Sequence, residues 1–146
     1  MDGQETGARG RWEHFEHEAD IGVRGIARTQ AEAYAQAALA VTAVIADPAL
    51  VHAGEPVTLT AADPDPELLL VDFLNAVIYE MAHRHMLFSR FDVRIDAGRL
   101  TATAYGERVD VRRHQPAVEV KGATFTALAV KQRDDGAWLA QCVVDV

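Results

Sequence analysis

"LFSRFDVRIDAGRLTATAYG", residues 87–106, decides the fold class. Its two arms, Leu87–Ile95 and Leu100–Gly106, are rich in aromatic and β-branched residues and flank Asp96-Ala97-Gly98-Arg99, a hairpin signal. A second pair follows. "AVEVKGATFTALAVKQ" (117–132) and "WLAQCVVDV" (138–146) flank Arg133-Asp134-Asp135-Gly136, so the chain after residue 86 reads as mostly β. Toward the N-terminus, "RWEHFEH" (11–17) and "IGVRGIAR" (21–28) read as two more strands, with glycines that suggest a bend or bulge. "PVTLTAA" (56–62) is a further short strand.

Two helices interrupt the strands. Thr29 and Glu32 fit a capping box, and an Ala-rich stretch from Gln30 to about Ala46 carries an apolar face that includes Ala33, Ala37, Val44 and Ile45. Asp47-Pro48 ends it. In "DPDPE", Asp65 can cap and Pro66 can take the first helical position of a second helix running to about His83, with Leu69, Leu70, Phe73, Val77 and Met81 on one side. The expected class is α+β: a two-layer sandwich of a mostly antiparallel sheet with two helices. Residues 1–10, polar and Gly-rich, are expected to form a loose tail, and 11–146 a single domain.

Composition narrows the function. With 49% hydrophobic and 25% charged residues the chain is of ordinary globular type, and no apolar run approaches the roughly 20 residues a membrane span needs. The start lacks the basic and apolar regions of a signal peptide, and the lone Cys142 rules out an internal disulfide framework, so a cytoplasmic location is expected. Cys142 lies in an apolar run and reads as a buried, inert thiol. The net charge of -8 disfavours broad contact with phosphate backbones and favours basic partners or metal cations.

Chemistry-bearing motifs are few. No phosphate-binding glycine loop, nucleophile elbow or Cys–His arrangement occurs, and the single serine, Ser89, has no base beside it. His14 and His17, three apart on a strand, point to opposite faces and should not chelate one ion. His83 and His85 suit a helix C-terminus. The carboxylates of Glu18, Asp20, Asp72 and Asp145 lie beside strongly apolar residues; they either meet a counter-charge or point to solvent at strand ends. Asp145 is followed only by Val146, whose carboxylate adds an anionic group. Two such groups and one from elsewhere would make a hard-oxygen site for calcium or magnesium.

"WEHFEHEADIGVRG" (12–25), "TQAEAYAQAALAV" (29–41), "ELLLVDFLNAVIYE" (67–80), "LFSRFDVRI", "VEVKGATFTAL" (118–128) and the final "VVDV", in this order, resemble the archease family over nearly the whole chain. That resemblance implies an accessory protein, not an enzyme, for the tRNA-splicing RNA ligase. It would speed guanylation of the ligase and allow repeated turnover. It also implies a divalent cation, usually described as calcium, with ligands from H-x-A-D and the last two residues: here Asp20, Asp145 and Val146. Lys121 matches a family lysine that could orient the acidic ligands or engage the ligase; a plain lysine at a strand edge is the alternative. Two positions depart from the family pattern: Glu18 stands where many members have threonine, and Thr126 where many have histidine. Rival readings are a chaperone-like adaptor for tRNA-modifying enzymes and a metal-dependent hydrolase with His17 or Glu18 as base. Whether Glu18 or Asp72 joins the metal site is left open.

Overall fold

The computed structural model describes residues 3–5 and 10–146. The order of elements is β1 (Gly3–Glu5), β2 (Arg11–His17), β3 (Asp20–Ala27), α1 (Gln30–Ile45), a 3-10 turn (Pro48–Leu50), β4 (Glu55–Ala62), α2 (Pro66–Arg84), β5 (Met86–Asp96), β6 (Arg99–Arg108), a single helical turn α3 (Val111–His114), β7 (Gly122–Ala123), β8 (Ala129–Gln132) and β9 (Trp138–Asp145). The class is α+β and the pairing antiparallel, as expected from the sequence. The strands divide into two sheets. One runs β1-β2-β3-β9-β7, with β8 also on β9, and the other runs β4-β6-β5. Part of the expected tail, Gly3–Glu5, pairs with Arg11–Glu13 at the sheet edge; residues 1–2 and 6–9 of that expectation lie outside the described residues.

Local chemistry explains the elements. The Thr29 hydroxyl accepts from the Glu32 N–H at 3.1 Å and donates to the Glu32 carboxylate at 3.2 Å, which starts α1. Asp65 accepts from Glu67 N–H, with Pro66 in the first turn, and α2 stops at His85, whose φ of 55° is left-handed. Ala97 and Gly98 both have positive φ, as a tight two-residue hairpin with the twist of its strands requires.

Helix α1 packs against β2, β3 and β9 of one sheet and β5 of the other, so it is buried on nearly every side. Its alanines let the sheets close in. The ladders through β3 run without a shift; a Cβ on Gly25 would collide with the Ala33 carbonyl of α1, and one on Gly22 with the Phe15 ring of β2. The expected bend or bulge at these glycines is therefore a close approach. The bulge lies in β5, between Phe88 and Arg90. Between the layers, Tyr34, Phe73, Phe88 and Phe91 form a chain of aromatic contacts, and the buried Thr42 hydroxyl donates to the Phe88 carbonyl at 2.7 Å.

Residues 117–132 do not form the long strand expected. Only Gly122–Ala123 and Ala129–Gln132 pair with β9. Between them the Thr124 hydroxyl donates to the Val143 carbonyl at 2.8 Å and accepts from the Thr126 N–H at 3.2 Å, while Ala127 takes a left-handed φ of 55°. The Val143 carbonyl also accepts from the Thr124 N–H at 3.0 Å, so the Thr124 hydroxyl adds to the backbone bonds there and holds a turn between the two short strands.

Candidate functional site

Strands β3 and β9 run antiparallel, with Ile21 opposite Val144. One step further this register brings Asp20 abreast of Asp145, on adjacent strands about 4.8 Å apart. Residues opposite one another share a face of the sheet. His17 is opposite Asp20 on β2 and so joins that face, whereas His14, an odd number of residues away, points to the other. There the His14 Nε2 donates to the Ala40 carbonyl of α1 at 2.8 Å. The two histidines are thus divided as their spacing predicts, and His14 serves packing.

The other sequence-predicted residues gather at the same end of β9. Gly122 lies opposite Asp145, and the Lys121 N–H donates to the Asp145 carbonyl at 2.8 Å, which places Lys121 beside Val146. Asn75, in the middle of α2, secures this corner. Its side-chain carbonyl accepts from the Ala123 N–H at 2.9 Å and its amide donates to the Ala123 carbonyl at 3.5 Å. Sequence reasoning passed over Asn75; an isolated amide inside the apolar run "DFLNAVI" was the available signal.

Among the described residues, the carboxylates of Asp20 and Asp145 have no hydrogen-bond or ion-pair partner. Asp20 is half-buried, and Asp145 and Val146 are exposed. Their donor set, two carboxylates next to the Val146 backbone, is of the hard-oxygen kind that suits calcium or magnesium. No three His, Cys, Asp or Glu side chains among the described residues stand close enough to enclose an ion. Val146, water or a partner would therefore have to complete any coordination shell. The residues fit an open, oxygen-rich site and not a closed cage.

Glu18 and Asp72 take the solvent-facing alternative. The Glu18 side chain is 86% exposed, 3.7 Å from His17 Nδ1, and Asp72 lies on the outer side of α2. Glu18 also has a φ of 52°, uncommon for a residue with a Cβ, in the turn that hands β2 to β3. Thr126 uses its carbonyl to accept from the Val143 N–H at 3.0 Å. Burial pushes the Cys142 thiol up to about 12, which bears out its reading as inert.

A second cluster was not foreseen. Glu107 at the end of β6 receives the Arg113 guanidinium at 2.8 Å, the His52 N–H at 2.8 Å and His114 Nε2 at 2.9 Å. The other ring nitrogen of His114 accepts from the Asp110 N–H at 2.8 Å, so Nε2 carries the proton given to Glu107. The His114 side chain is fully enclosed. The Arg113 hydrogen bond, followed by those of His52 and His114, holds the Glu107 carboxyl down at about 2. The signal for part of this was "DVRRH" (110–114), where Asp110 caps α3 by accepting from the N–H groups of Arg112 and Arg113.

A groove of about 540 Å³ between α1 and β5, lined among others by Glu32, Leu39, Ser89 and Phe91, holds none of Asp20, Asp145 or Lys121. Ser89 at its wall donates to the Val51 carbonyl at 2.8 Å, which is a structural role. Among the described residues, no helix is long and apolar enough to cross a membrane.

The sequence pattern of the archease protein family matches residues 12–146. A protein archease of Pyrococcus abyssi is 36% identical over 140 residues, covering 93% of this chain and 99% of that protein. One of Thermococcus gammatolerans is 37% identical with the same coverage. The solution structure of Methanobacterium thermoautotrophicum protein 1598 superposes with a TM-score of 0.81 at 32% identity, over 94% of this chain and 99% of that one. The crystal structure of a Thermotoga maritima archease, described as a "possible chaperone", shares the fold with a TM-score of 0.56 at 17% identity, over 90% of this chain and 94% of that one.

Proposed function

The chain belongs to the archease family, and on that premise we propose that it is a non-catalytic, cation-dependent activator of the tRNA-splicing RNA ligase. It would act in the cytoplasm, promoting guanylation of the ligase and its repeated turnover. The observation that carries this reading is the arrival of Asp20 abreast of Asp145, both carboxylates without a partner of their own. Leaving two carboxylates unpaired side by side costs repulsion, which a bound cation or a cationic partner removes. Asp20, Asp145 and Val146 would hold a divalent cation, calcium by family resemblance, and Lys121 would stand beside it toward the ligase. The cation would supply positive charge at the ligase's nucleotide site, while the ligase binds the nucleotide itself.

The test is a guanylation assay on the ligase from the same source, with and without this protein. Stimulation by wild type and its loss in Asp20→Ala and Asp145→Ala are expected. No stimulation by the wild-type protein at saturating calcium would overturn the reading. The second reading, a chaperone-like adaptor, has in its favour the description of the T. maritima relative. It requires protection of a client against aggregation that persists in both aspartate variants.

A further inference from the structure

Strand β5 ends its sheet, with β6 on one side and no strand on the other. Asp96 and Arg99 close the two-residue hairpin and so exchange their backbone bonds, and no shift interrupts the register from there back to Arg90. Alternation then turns the N–H and C=O groups of Ile95, Val93 and Phe91 away from β6. Among the described residues, nothing bonds these outward groups. The edge is shut only before Arg90, where the bulge lies, the Thr42 hydroxyl donates to the Phe88 carbonyl and Ser89 donates to Val51. Along the free stretch opens the groove of about 540 Å³, lined by Phe91 and Val93 of β5 and by Ala35 and Leu39 of α1.

Charges on an open edge usually guard it against pairing. Here they do the opposite, because "RFDVRID" (90–96) is complementary to its own reverse about Val93. Set two copies antiparallel with Val93 opposite Val93. Asp92 then faces Arg94, Arg90 faces Asp96 and Phe91 faces Ile95, each pair occurring twice about the axis. The same register brings the outward backbone groups of Phe91, Val93 and Ile95 onto those of the other copy, so backbone and side chains ask for one alignment. Moving one copy by two residues either way sets arginine against arginine and aspartate against aspartate, which fixes the register. Within one chain, Arg90 and Asp92 pair at 3.0 Å, whereas Arg94 and Asp96 are exposed and have no ion pair among the described residues. The opposite edge of the sheet, β4, includes Pro56 and carries no charge after Glu55, so it lacks this pattern. We infer that the 90–96 edge of β5 is a site for a second copy of this chain, joining two β4-β6-β5 sheets across a two-fold axis. Asp20 and Asp145 lie in the other sheet, so the pairing does not involve them.

The experiment is analytical sedimentation of the whole chain from about 1 μM to about 1 mM, which brackets weak and moderate self-association. The net charge of -8 on each copy opposes association, so salt is held at about 0.15 M, where charges more than ~8 Å apart are screened. Wild type is expected to show a reversible monomer–dimer equilibrium. Arg94→Glu sets acid against Asp92 at both symmetry-related places, and Asp96→Lys sets lysine against Arg90. Each should weaken the dimer at least about tenfold. Adding Asp92→Lys to Arg94→Glu restores opposite charges across the axis and should restore the dimer. Lys131→Glu, an exposed position on β8 of the other sheet, makes the same change in net charge and should leave association as in wild type. A wild-type monomer at every concentration would overturn the proposal and leave the edge to a strand of a different protein. An equal loss in Lys131→Glu, no loss in either β5 variant, or no recovery in the double variant would overturn it as well.

Discussion

Two acidic corners of this molecule are built on opposite terms. At the first, the Glu107 carboxylate receives Arg113, His114 and the His52 N–H, so its charge is fully used by the protein. At the second, Asp20 and Asp145 stand abreast and no described residue bonds either carboxylate. A carboxylate that is satisfied internally stabilises the fold and has little left to offer a ligand. One that is unsatisfied adds nothing to the fold and keeps its affinity for something else. The first corner holds the chain together; under the proposed function, the second is left for binding.

The contrast breaks most visibly at Glu107. Glu107→Ala leaves the Nε2–H of enclosed His114 without its acceptor and Arg113 without its pair. The expected loss is about 2–4 kcal/mol, from stranding the enclosed His114 donor and losing the charge-assisted bonds to the partly exposed carboxylate. In thermal unfolding this is roughly 5–15 °C for a chain of this size. A variant as stable as wild type would remove the distinction between the corners.

Next in size is the cation effect at the second corner. Calcium at about 100 times its dissociation constant should stabilise the wild-type protein by roughly 2.7 kcal/mol. Asp20→Asn and Asp145→Asn should abolish that gain while leaving the metal-free protein within about 0.5 kcal/mol of wild type, as substitutions away from stabilising contacts do. Melting scans with calcium and with chelator decide it. A large loss in the metal-free variants would show that these carboxylates hold the fold after all.

Acid sharpens the difference further. The Glu107 carboxyl is depressed from 4.5 to about 2, so its contribution is complete above pH 4.5 and is lost as pH falls from there toward about 2. Denaturant midpoints measured between pH 6 and pH 2.5 should fall in wild type, and the fall should be smaller in Glu107→Gln. Parallel profiles would contradict the assignment. The smallest effect concerns Glu18, held at a φ of 52° beside Asp20. Glu18→Gly removes a left-handed penalty of about 1–2 kcal/mol and adds unfolded-state entropy that opposes it, for a net gain below about 1 kcal/mol in chemical unfolding.

What the sequence disclosed, and what it hid, follows from how far apart the interacting residues lie. Thr29, Asp65-Pro66 and Ala97-Gly98 act on neighbours a few residues away, so the starts of both helices and the β5–β6 hairpin were readable directly. The division of strands into two sheets was not, because nothing in a strand's own pattern names its partner. The span 117–132 read as a strand because its composition is strand-like, yet a turn held by the Thr124 hydroxyl and the left-handed Ala127 interrupts it. At the proposed binding corner, Asp20, Asp145, Val146 and Lys121 came from family resemblance, and their neighbourhood needed the β3–β9 register. Glu107 and His114 are close in sequence, but the bonds to His52 and Asp110 that make them a unit could not be inferred from spacing.

The position of β9 bears on how this molecule comes to exist at all. It lies between β3 on one side and β7 and β8 on the other, and Ile21 must find Val144, more than a hundred residues away along the chain. During synthesis, β2 and β3 can close their hairpin early, but the middle of their sheet stays empty until residues 138–145 have left the ribosome. The closing of such a distant loop governs the rate, which places the molecule among slow folders for its size. Until then the face of β3 that will meet β9 is an open strand edge, exposed to other chains. The pairing that brings Asp20 to Asp145 also ends that exposure.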